Sequence, residues 1–306
     1  MNVTLVLAQL LNGLQYGVLL FLLAAGLTLV FGIMSFVNLA HGSLYMMGAY
    51  AAAIGYSLSG SFAVAVLAAL GTTLVIGLVL EVAVVSRLYQ RDHLDHVLAT
   101  FGLVLFFNEL VRIVWGPQPY FVQVPEFLSG TVEVLGFTYP SYRFAIIFVG
   151  LLVAIGSYLL IHNTRVGMLI RAGAQNPKMV SALGVNIQLL NAMLFAVGAM
   201  LAGLAGAMAG PILSVQSGMG EPVLITTLVV IVIGGIGSVE GAFYAALVVG
   251  LVDTLGRAFL PVLLRQVAER SVADAAGPAL ASMSVYLLMA VVLAWRPQGL
   301  FPARRT

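Results

Sequence analysis

The sequence contains no cysteine and very little charge. Of its 306 residues, 8% carry a charge and 61% are hydrophobic, whereas soluble domains carry roughly a quarter charged residues. No Asp, Glu, Lys or Arg precedes Glu81. The lack of cysteine excludes disulfide bonds, thiol catalysis and cysteine-ligated metal sites. The scarcity of charge predicts an integral membrane protein.

Several classes of function also lack their sequence signatures. The net charge is only +2, and the basic residues do not form a groove, so nucleic-acid binding is not indicated. No Walker A motif occurs, and we therefore do not expect this chain to hydrolyse nucleotide. G-x-S-x-G is absent, and Asp253 has no second intramembrane aspartate with which to form a protease pair. The sequence thus predicts a protein without catalytic activity of its own.

Long apolar segments account for most of the chain. A membrane-spanning helix needs about 20 apolar residues. The segment 222–236 is short for a full crossing, so we expect a broken or re-entrant element and eight or nine crossings. The first segment lacks a basic flank and a clean cleavage site, and it should be retained. The expected fold is all-α, with residues 1–306 forming one polytopic transmembrane domain. The predicted spans are 6–31, 39–58, 62–86, 94–115, 141–162, 189–212, 222–236, 241–260 and 279–296.

The distribution of Lys and Arg predicts which loops face the cytoplasm. The loop 163–188 carries three basic residues and no acidic residue, and the loop 87–93 carries two basic residues. The C-terminal residues include Arg296, Arg304 and Arg305. All three regions should lie in the cytoplasm.

The segment 116–140 should lie on the opposite, extracytoplasmic side. It has no Lys or Arg, holds Glu126 and Glu133, and contains four prolines. Its alternating Val, Glu and Phe residues favour a compact surface loop or a hairpin. The loop 261–278 carries charges of both signs and is also expected outside, while the side on which the N-terminus lies stays open.

The loop 163–188 is predicted to contain a short helix. Asn176 is typical of an N-cap, Pro177 suits the first helical position, and Gly184 is a natural stop. Two helical turns are unstable alone in water, so the helix should rest on another surface. Two interpretations remain open, a docking element for a cytoplasmic partner and an ordinary basic connecting loop. Three apolar side chains should share one face of the helix: Met179, Val180 and Leu183.

Polar residues inside predicted spans are costly in lipid and are therefore candidates for function. Asn38 and its neighbours lie between Gly32 and Gly42, as if one helix ended there and another began. They either form a local N-cap with a buried, backbone-bonded histidine or line a break in a central helix. The glycine-rich stretch 234–241 is a second candidate break. The candidate pathway or hinge residues are Asn38, His41, Gly42, Ser43, Gly234, Gly235 and Gly237.

Three further patterns have structural explanations. Asp253 and Arg257 stand four residues apart and should neutralise each other. The stretch 92–96 offers Asp and His in metal-ligand spacing, but a helix cap and solvated charges explain it, and no metal site is expected. Small residues that recur every four positions predict a close helix-packing seam at Gly198, Ala202, Gly206 and Gly210.

Five stretches together resemble the branched-chain amino acid ABC transporter permeases of the LivH type. The resemblance covers nearly the whole chain, and the motifs occur in the family's order. The stretches are GLTLVFGIM at 26–34, VNLAHGSLYMMGAY at 37–50, RAGAQNPKMVSALGVN at 171–186, GGIGSVEGA at 234–242 and WRPQGLF at 295–301.

The resemblance implies an ATP-driven importer in the bacterial inner membrane. This chain would pair with a LivM-type second permease, two cytoplasmic ATPase subunits of the LivG and LivF type, and an extracytoplasmic substrate-binding protein. ATP and Mg²⁺ would belong to the ATPase subunits, and this chain would hold no cofactor. The segment 171–186 resembles the family's cytoplasmic coupling segment, with expected ATPase contacts at Arg171, Gln175, Asn176, Pro177, Lys178, Leu183 and Gly184.

Three alternatives to a branched-chain amino acid importer remain open at this point. Related permeases carry urea or short amides, so the substrate is not fixed by the resemblance. A secondary transporter coupled to an ion gradient is a different class, although Asp253 is the one clear buried carboxylate that could serve it. A structural membrane subunit without a pathway would tolerate substitution of Asn38 or His41.

Overall fold

The computed structural model describes residues 3–301 except 35, 90, 135, 267 and 268. Arg304 and Arg305 therefore lie outside the described residues. The helices are α1 (Val3–Met34), α2 (His41–Ser59), α3 (Phe62–Leu80), α4 (Ser86–Leu88), α5 (His93–Trp115), α6 (Ser141–Asn163), α7 (Arg165–Gln175), α8 (Pro177–Ala182), α9 (Ile187–Ala209), α10 (Gly220–Gly234), α11 (Val239–Leu264) and α12 (Arg270–Trp295).

Each of the nine predicted spans corresponds to a helix. Within the described ranges, seven helices are long and apolar enough to cross a membrane, with α3 and α4 counted as one helix that is joined by a π-helical turn at Glu81–Val85. The other two predicted spans are α2 and α10. Helix α2 is less apolar and largely buried, while α10 has only 15 residues. The polytopic all-α prediction is confirmed.

The bundle has two distinct ends, which we call the basic end and the hairpin end. The basic end is formed by α7, α8 and the C-termini of α1 and α6, where His162 lies 3.1 Å from Glu240 at the start of α11. The C-terminal segment 296–301 lies there too, because Leu300 N donates to Ile233 O at 2.8 Å. The basic loop and Arg296 therefore share one end of the molecule, as the sequence predicted.

The hairpin end carries the predicted surface hairpin. Strands β1 (Thr131–Val134) and β2 (Phe137–Pro140) pair antiparallel, and an isolated bridge joins Tyr120 to Val215 after α9. Tyr139 donates to Asn12 Oδ1 at 3.1 Å. The N-terminal part of α1 therefore lies at the hairpin end, opposite the basic end.

Glycines let the central helices touch through their backbones. A Cβ added at Gly48 of α2 would lie 2.3 Å from Gly203 Cα of α9, and one at Gly206 would lie 2.0 Å from Tyr45 O. Similar close contacts join Gly17 of α1 to Gly250 of α11. Small residues at a helix interface allow this approach where lipid offers no hydrophobic drive for association. The predicted seam on α9 is confirmed at Gly198, which meets Gly26 of α1, and at Gly206, whereas Gly210 lies beyond the end of the helix.

Candidate pathway and coupling surface

Helix α2 begins inside the bundle, beside the middle of α1. His41, its first residue, is 1% exposed, and its Nε2 lies 3.2 Å from Leu23 O. A Cβ at Gly26 would lie 2.6 Å from Gly198 O and 3.1 Å from His41 Cε1. His41 therefore sits where α1, α2 and α9 meet, bonded to backbone as a buried histidine should be.

Asn38 does not cap α2, so that part of the prediction is wrong. The N-cap residue is Ala40, and Asn38 contributes its carbonyl oxygen, which accepts from His41 N at 3.3 Å. The side chain of Asn38 is 2% exposed, and neither of its polar atoms has a hydrogen-bond partner within the described part of the chain. A turn at residues 39–40 separates Asn38 from the helix, which is why its side chain cannot reach the first amide groups.

Gly42 and Ser43 lie at a narrow cavity between α2, α5 and α10. Gly42 touches α10 directly, since a Cβ on Gly220 would lie 2.0 Å from Gly42 O. Across the cavity, Asn108 Nδ2 of α5 donates to Glu221 Oε1 of α10 at 2.5 Å. The cavity is lined by Leu39, Gly42, Ser43, Met46, Val104, Asn108, Gly220, Glu221 and Leu224.

The Asn108–Glu221 pair was not predicted as a site from the sequence. Neither residue belongs to a motif that the sequence indicated as functional. A carboxylate followed by proline within an apolar region was the available signal. The two residues are 113 positions apart, so their contact depends on how α5 and α10 pack.

Gly234, Gly235 and Gly237 form a tight turn between α10 and α11. Gly235 and Gly237 have positive φ values of 105° and 83°, a conformation that favours glycine. Phe301 N donates to Gly234 O at 3.0 Å, so the C-terminal segment packs on the turn. A Cβ at Gly32 would lie 2.9 Å from Gly237 Cα. The predicted hinge is thus closely packed in this conformation.

The basic loop contains two helices, α7 and α8, where the sequence predicted one. Thr164 caps α7 by accepting from Gly167 N at 3.0 Å. Asn176 caps α8 by accepting from Met179 N at 3.0 Å, Pro177 is its first residue, and Gly184 follows it with φ +87°. The predicted start and stop signals of α8 are confirmed.

The predicted apolar face of α8 is wrong in one respect. Val180 is 6% exposed and buried against the bundle, whereas Met179 and Leu183 are 60% and 78% exposed. A two-turn helix lying on a surface presents opposite sides to protein and to solvent, so the three residues do not share one environment. The exposed side is therefore itself partly apolar.

The basic side chains of this loop differ in their surroundings. Arg171 donates from its guanidinium to Ile161 O at the end of α6, which ties α7 to the bundle. Lys178 is exposed, and no ion pair or hydrogen bond of its side chain occurs in the described ranges. Gln175 is exposed at the C-terminal end of α7. The loop thus combines an anchored arginine with a lysine directed to solvent.

Two further side-chain clusters concern charged residues in or near the spans. Glu81, 2% exposed in the π-helical turn, accepts from the hydroxyl of Tyr89, and burial together with this hydrogen bond raises the pKa of Tyr89. Arg257 Nε lies 2.8 Å from Asp253 Oδ2, and Arg257 also donates to Ser282 Oγ at 2.9 Å. The predicted Asp253–Arg257 pair is confirmed.

The stretch 92–96 forms the start of α5. His96 Nε2 lies 2.8 Å from Leu88 O, and its ring packs on Phe36 with the ring centroids 4.6 Å apart. Among the residues that the structure describes, no group of three His, Asp or Glu side chains is arranged to hold a metal ion.

Comparison with known proteins bears directly on this architecture. The family model described as branched-chain amino acid transport system / permease component matches residues 9–294. The permease BraD of the high-affinity branched-chain amino acid transport system of Pseudomonas aeruginosa is 29% identical and covers 96% of this chain and 95% of its own length. LivH of Salmonella typhimurium is 27% identical over 83% of this chain and 87% of its own length. No solved structure matches the chain significantly.

An archaeal protein also aligns with most of the chain. It is the probable branched-chain amino acid transport permease LivH of Methanocaldococcus jannaschii, 26% identical over 78% of this chain and 78% of its own length. The family match extends from α1 to α12 and overlaps every predicted span. The chain is therefore a multi-span membrane protein that belongs to the family of permease components of branched-chain amino acid transport systems.

Proposed function

We propose that this chain is one permease subunit of an ATP-driven importer that moves branched-chain or related small hydrophobic amino acids across the bacterial inner membrane. The family membership supports the transport of this substrate class. The observation that carries the mechanism is the α7–α8 segment, a capped, basic and partly apolar surface on the end of an otherwise apolar bundle. Such a surface suits a partner that delivers mechanical work from outside the membrane.

The expected partners follow from the same proposal. A permease of an ABC system works with ATPase subunits and a substrate-binding protein. We propose a LivM-type second permease, ATPase subunits of the LivG and LivF type on the basic end, and a binding protein on the hairpin end. ATP and Mg²⁺ would bind the ATPase subunits, and this chain would contribute positioning rather than catalysis.

The α7–α8 segment has the physical properties of a coupling element. Val180 and Ile170 bury one side of the segment against the bundle, and Arg171 ties it to α6. Lys178, Met179 and Leu183 face outward. A movement of an ATPase surface bound to these three residues would reach α6 and α9 through the buried side, because close-packed side chains transmit displacement.

The pathway is proposed to run beside the start of α2. Gly42 and Ser43 line the cavity there, and the glycine turn at 234–237 lies at the basic end of the adjoining α10. A substrate with both an ammonium and a carboxylate group is neutral overall, so backbone dipoles and a few polar side chains suffice to conduct it. Asn38 and His41 are buried in the protein at the start of α2, and their proposed role is to hold this end of the helix in place.

Reconstitution distinguishes the classes of transporter. The chain would be placed in proteoliposomes alone and with its permease, ATPase and binding-protein partners, and uptake of L-leucine, urea and acetamide would be measured. The proposal expects ATP-dependent uptake of L-leucine by the complete complex and none by the chain alone. Uptake by the chain alone under an ion gradient would identify a secondary transporter, and uptake of urea or acetamide in place of L-leucine would change the substrate class.

The coupling role is tested by reversing one exposed charge. Lys178→Glu should lower binding-protein-stimulated ATP hydrolysis and L-leucine uptake at least about tenfold, because a like charge at a docked interface costs several kcal/mol. Arg91→Glu is the matched control, a charge reversal on an exposed basic residue in the loop 87–93. Equal activity of the two variants would contradict docking at α8. Arg171 is less suitable, because its reversal would also break the tie to α6.

A further inference from the structure

A carboxylate, that of Glu221, lies exposed on the surface of the bundle among apolar side chains. Glu221 is the second residue of α10 and is solvent-accessible in the isolated chain. Apolar side chains on α5 and α10 are exposed as well: Leu105 is 53%, Phe106 57% and Ile225 50% exposed. An ionised carboxylate facing lipid within such a surface costs several kcal/mol. An ionised Glu221 is therefore stable only where water or protein, and not hydrocarbon, lies against it.

The helix lengths give the position of Asn108 and Glu221 along the bundle. Helix α5 starts at the basic end, and Asn108 lies fifteen residues from its first residue, a distance of about 22 Å at 1.5 Å per residue. Trp115 ends the helix about 10 Å further on. In α10, Gly234 lies at the basic end, and Glu221 lies about 20 Å from it along the helix. The Asn108–Glu221 pair therefore lies about 10 Å from the hairpin end of α5, beside the exposed Glu109–Arg112 ion pair of the same helix.

The pair is joined to the proposed pathway. Asn108 and Glu221 line the same narrow cavity as Gly42 and Ser43. Ser217 Oγ donates to Asn108 O at 3.0 Å, which fixes this part of α5 against the segment before α10. The hydrogen bond from Ser217 thus holds Asn108 in place while its side-chain amide donates to Glu221. The carboxylate also lies in the first turn of α10, where the helix dipole favours negative charge.

We propose that the Asn108–Glu221 pair faces the aqueous pathway and binds the ammonium group of the amino acid as it passes between the permease subunits. This inference rests on the proposed function. A carboxylate that accepts one hydrogen bond from an amide can still accept further bonds from an ammonium group. Hydrogen bonds between charged groups are stronger than those between neutral groups. The pair would select solutes that carry a positive group at the α-carbon and would disfavour neutral amides.

The first test measures transport by the reconstituted complex. Glu221→Gln keeps the shape and the bond capacity toward Asn108 but removes the charge. Uptake of L-leucine should fall at least about tenfold, while complex assembly and L-leucine binding by the binding protein stay unchanged. Glu109→Gln is the matched control, since Glu109 is exposed on α5 and pairs with Arg112 at 2.9 Å. Wild-type uptake by Glu221→Gln would overturn the proposal.

The second test uses the absence of cysteine from the chain. Glu221→Cys and the control Phe106→Cys would be treated, in the complete complex, with the membrane-impermeant reagent 2-(trimethylammonium)ethyl methanethiosulfonate. The proposal expects rapid labelling at position 221, slowed by L-leucine with its binding protein, and little labelling at position 106. An unreactive position 221 would mean that a dry contact with the second permease covers it, and would overturn the inference.

The two tests separate this inference from the proposed function. If the unaltered complex takes up no L-leucine, the proposed function fails. If the unaltered complex transports L-leucine while Glu221→Gln does the same, only the present inference fails. The labelling reaction needs no transport, so it reports on the position of Glu221 in either case.

Discussion

The centre of the bundle and the α7–α8 segment are held together by opposite means. At the centre, α2 and α9 touch through backbone atoms, and a Cβ at Gly48 would lie 2.3 Å from Gly203 Cα. At the basic end, α7 and α8 are held by side-chain caps at Thr164 and Asn176 and by few buried side chains. The centre therefore tolerates almost no added volume, whereas the segment exposes most of its residues. The comparison suggests that the centre supplies a fixed frame and the segment a surface that can change its contacts.

The largest expected effect is on the packed centre. Gly48→Ala should cost about 1–3 kcal/mol because the added methyl overlaps α9, which lowers the thermal unfolding midpoint of the purified permease by roughly 2–5 °C. Gly102→Ala is the matched control, since nothing lies within 4 Å of a Cβ there. It should leave the midpoint unchanged or slightly higher, as alanine favours helix. Similar midpoints for both variants would mean that the helices at the centre are not in backbone contact.

A smaller, local effect is expected at the cap of α8. Asn176→Ala should remove the bond to Met179 N at a cost of about 1 kcal/mol, and the amide groups of residues 178–183 should exchange hydrogen faster. Asn176→Ser retains an oxygen that can cap the helix and should exchange at nearly the original rate. Hydrogen exchange followed by mass spectrometry measures both. Faster exchange throughout the bundle would contradict the separation between the two regions.

The smallest effect on stability is expected on the outward side of α8. Leu183→Ala removes a side chain that is 78% exposed, so the unfolding free energy should change by no more than about 0.5 kcal/mol. Uptake per ATP hydrolysed should nevertheless decrease if Leu183 binds an ATPase. Leu94→Ala, at a leucine that is 67% exposed at the start of α5, serves as the control. Equal coupling ratios in the two variants would remove Leu183 from the docking surface.

Much of the fold was predictable from the sequence because the sequence patterns that indicate it are local. Each of the nine apolar runs predicted as a span forms a helix, and the cap and stop residues of α8 were found from Asn176, Pro177 and Gly184. The seam on α9 followed from small residues at a spacing of four. Each of these features depends on residues within a few turns of one another, and periodicity reports such features directly.

Other features depended on distant parts of the chain. Asn38 was predicted to cap α2, but its side chain is buried and is separated from the helix by the turn at residues 39–40. Val180 and Met179 are adjacent in sequence but differ in burial, 6% against 60% exposed, because only one side of α8 meets the bundle. Burial of this kind follows from where a segment rests, which the sequence pattern of the segment does not specify.

The sequence by itself determined that this chain is a membrane-embedded helical bundle with a basic loop at one end, since composition and apolar length decide which solvent surrounds the chain. Only the tertiary structure decided that Asn108 meets Glu221, that α2 starts beside the middle of α1, and that the C-terminal segment closes the glycine turn. These contacts join residues far apart in the chain. They form because glycines allow backbones to approach to distances at which specific side chains and carbonyl groups meet.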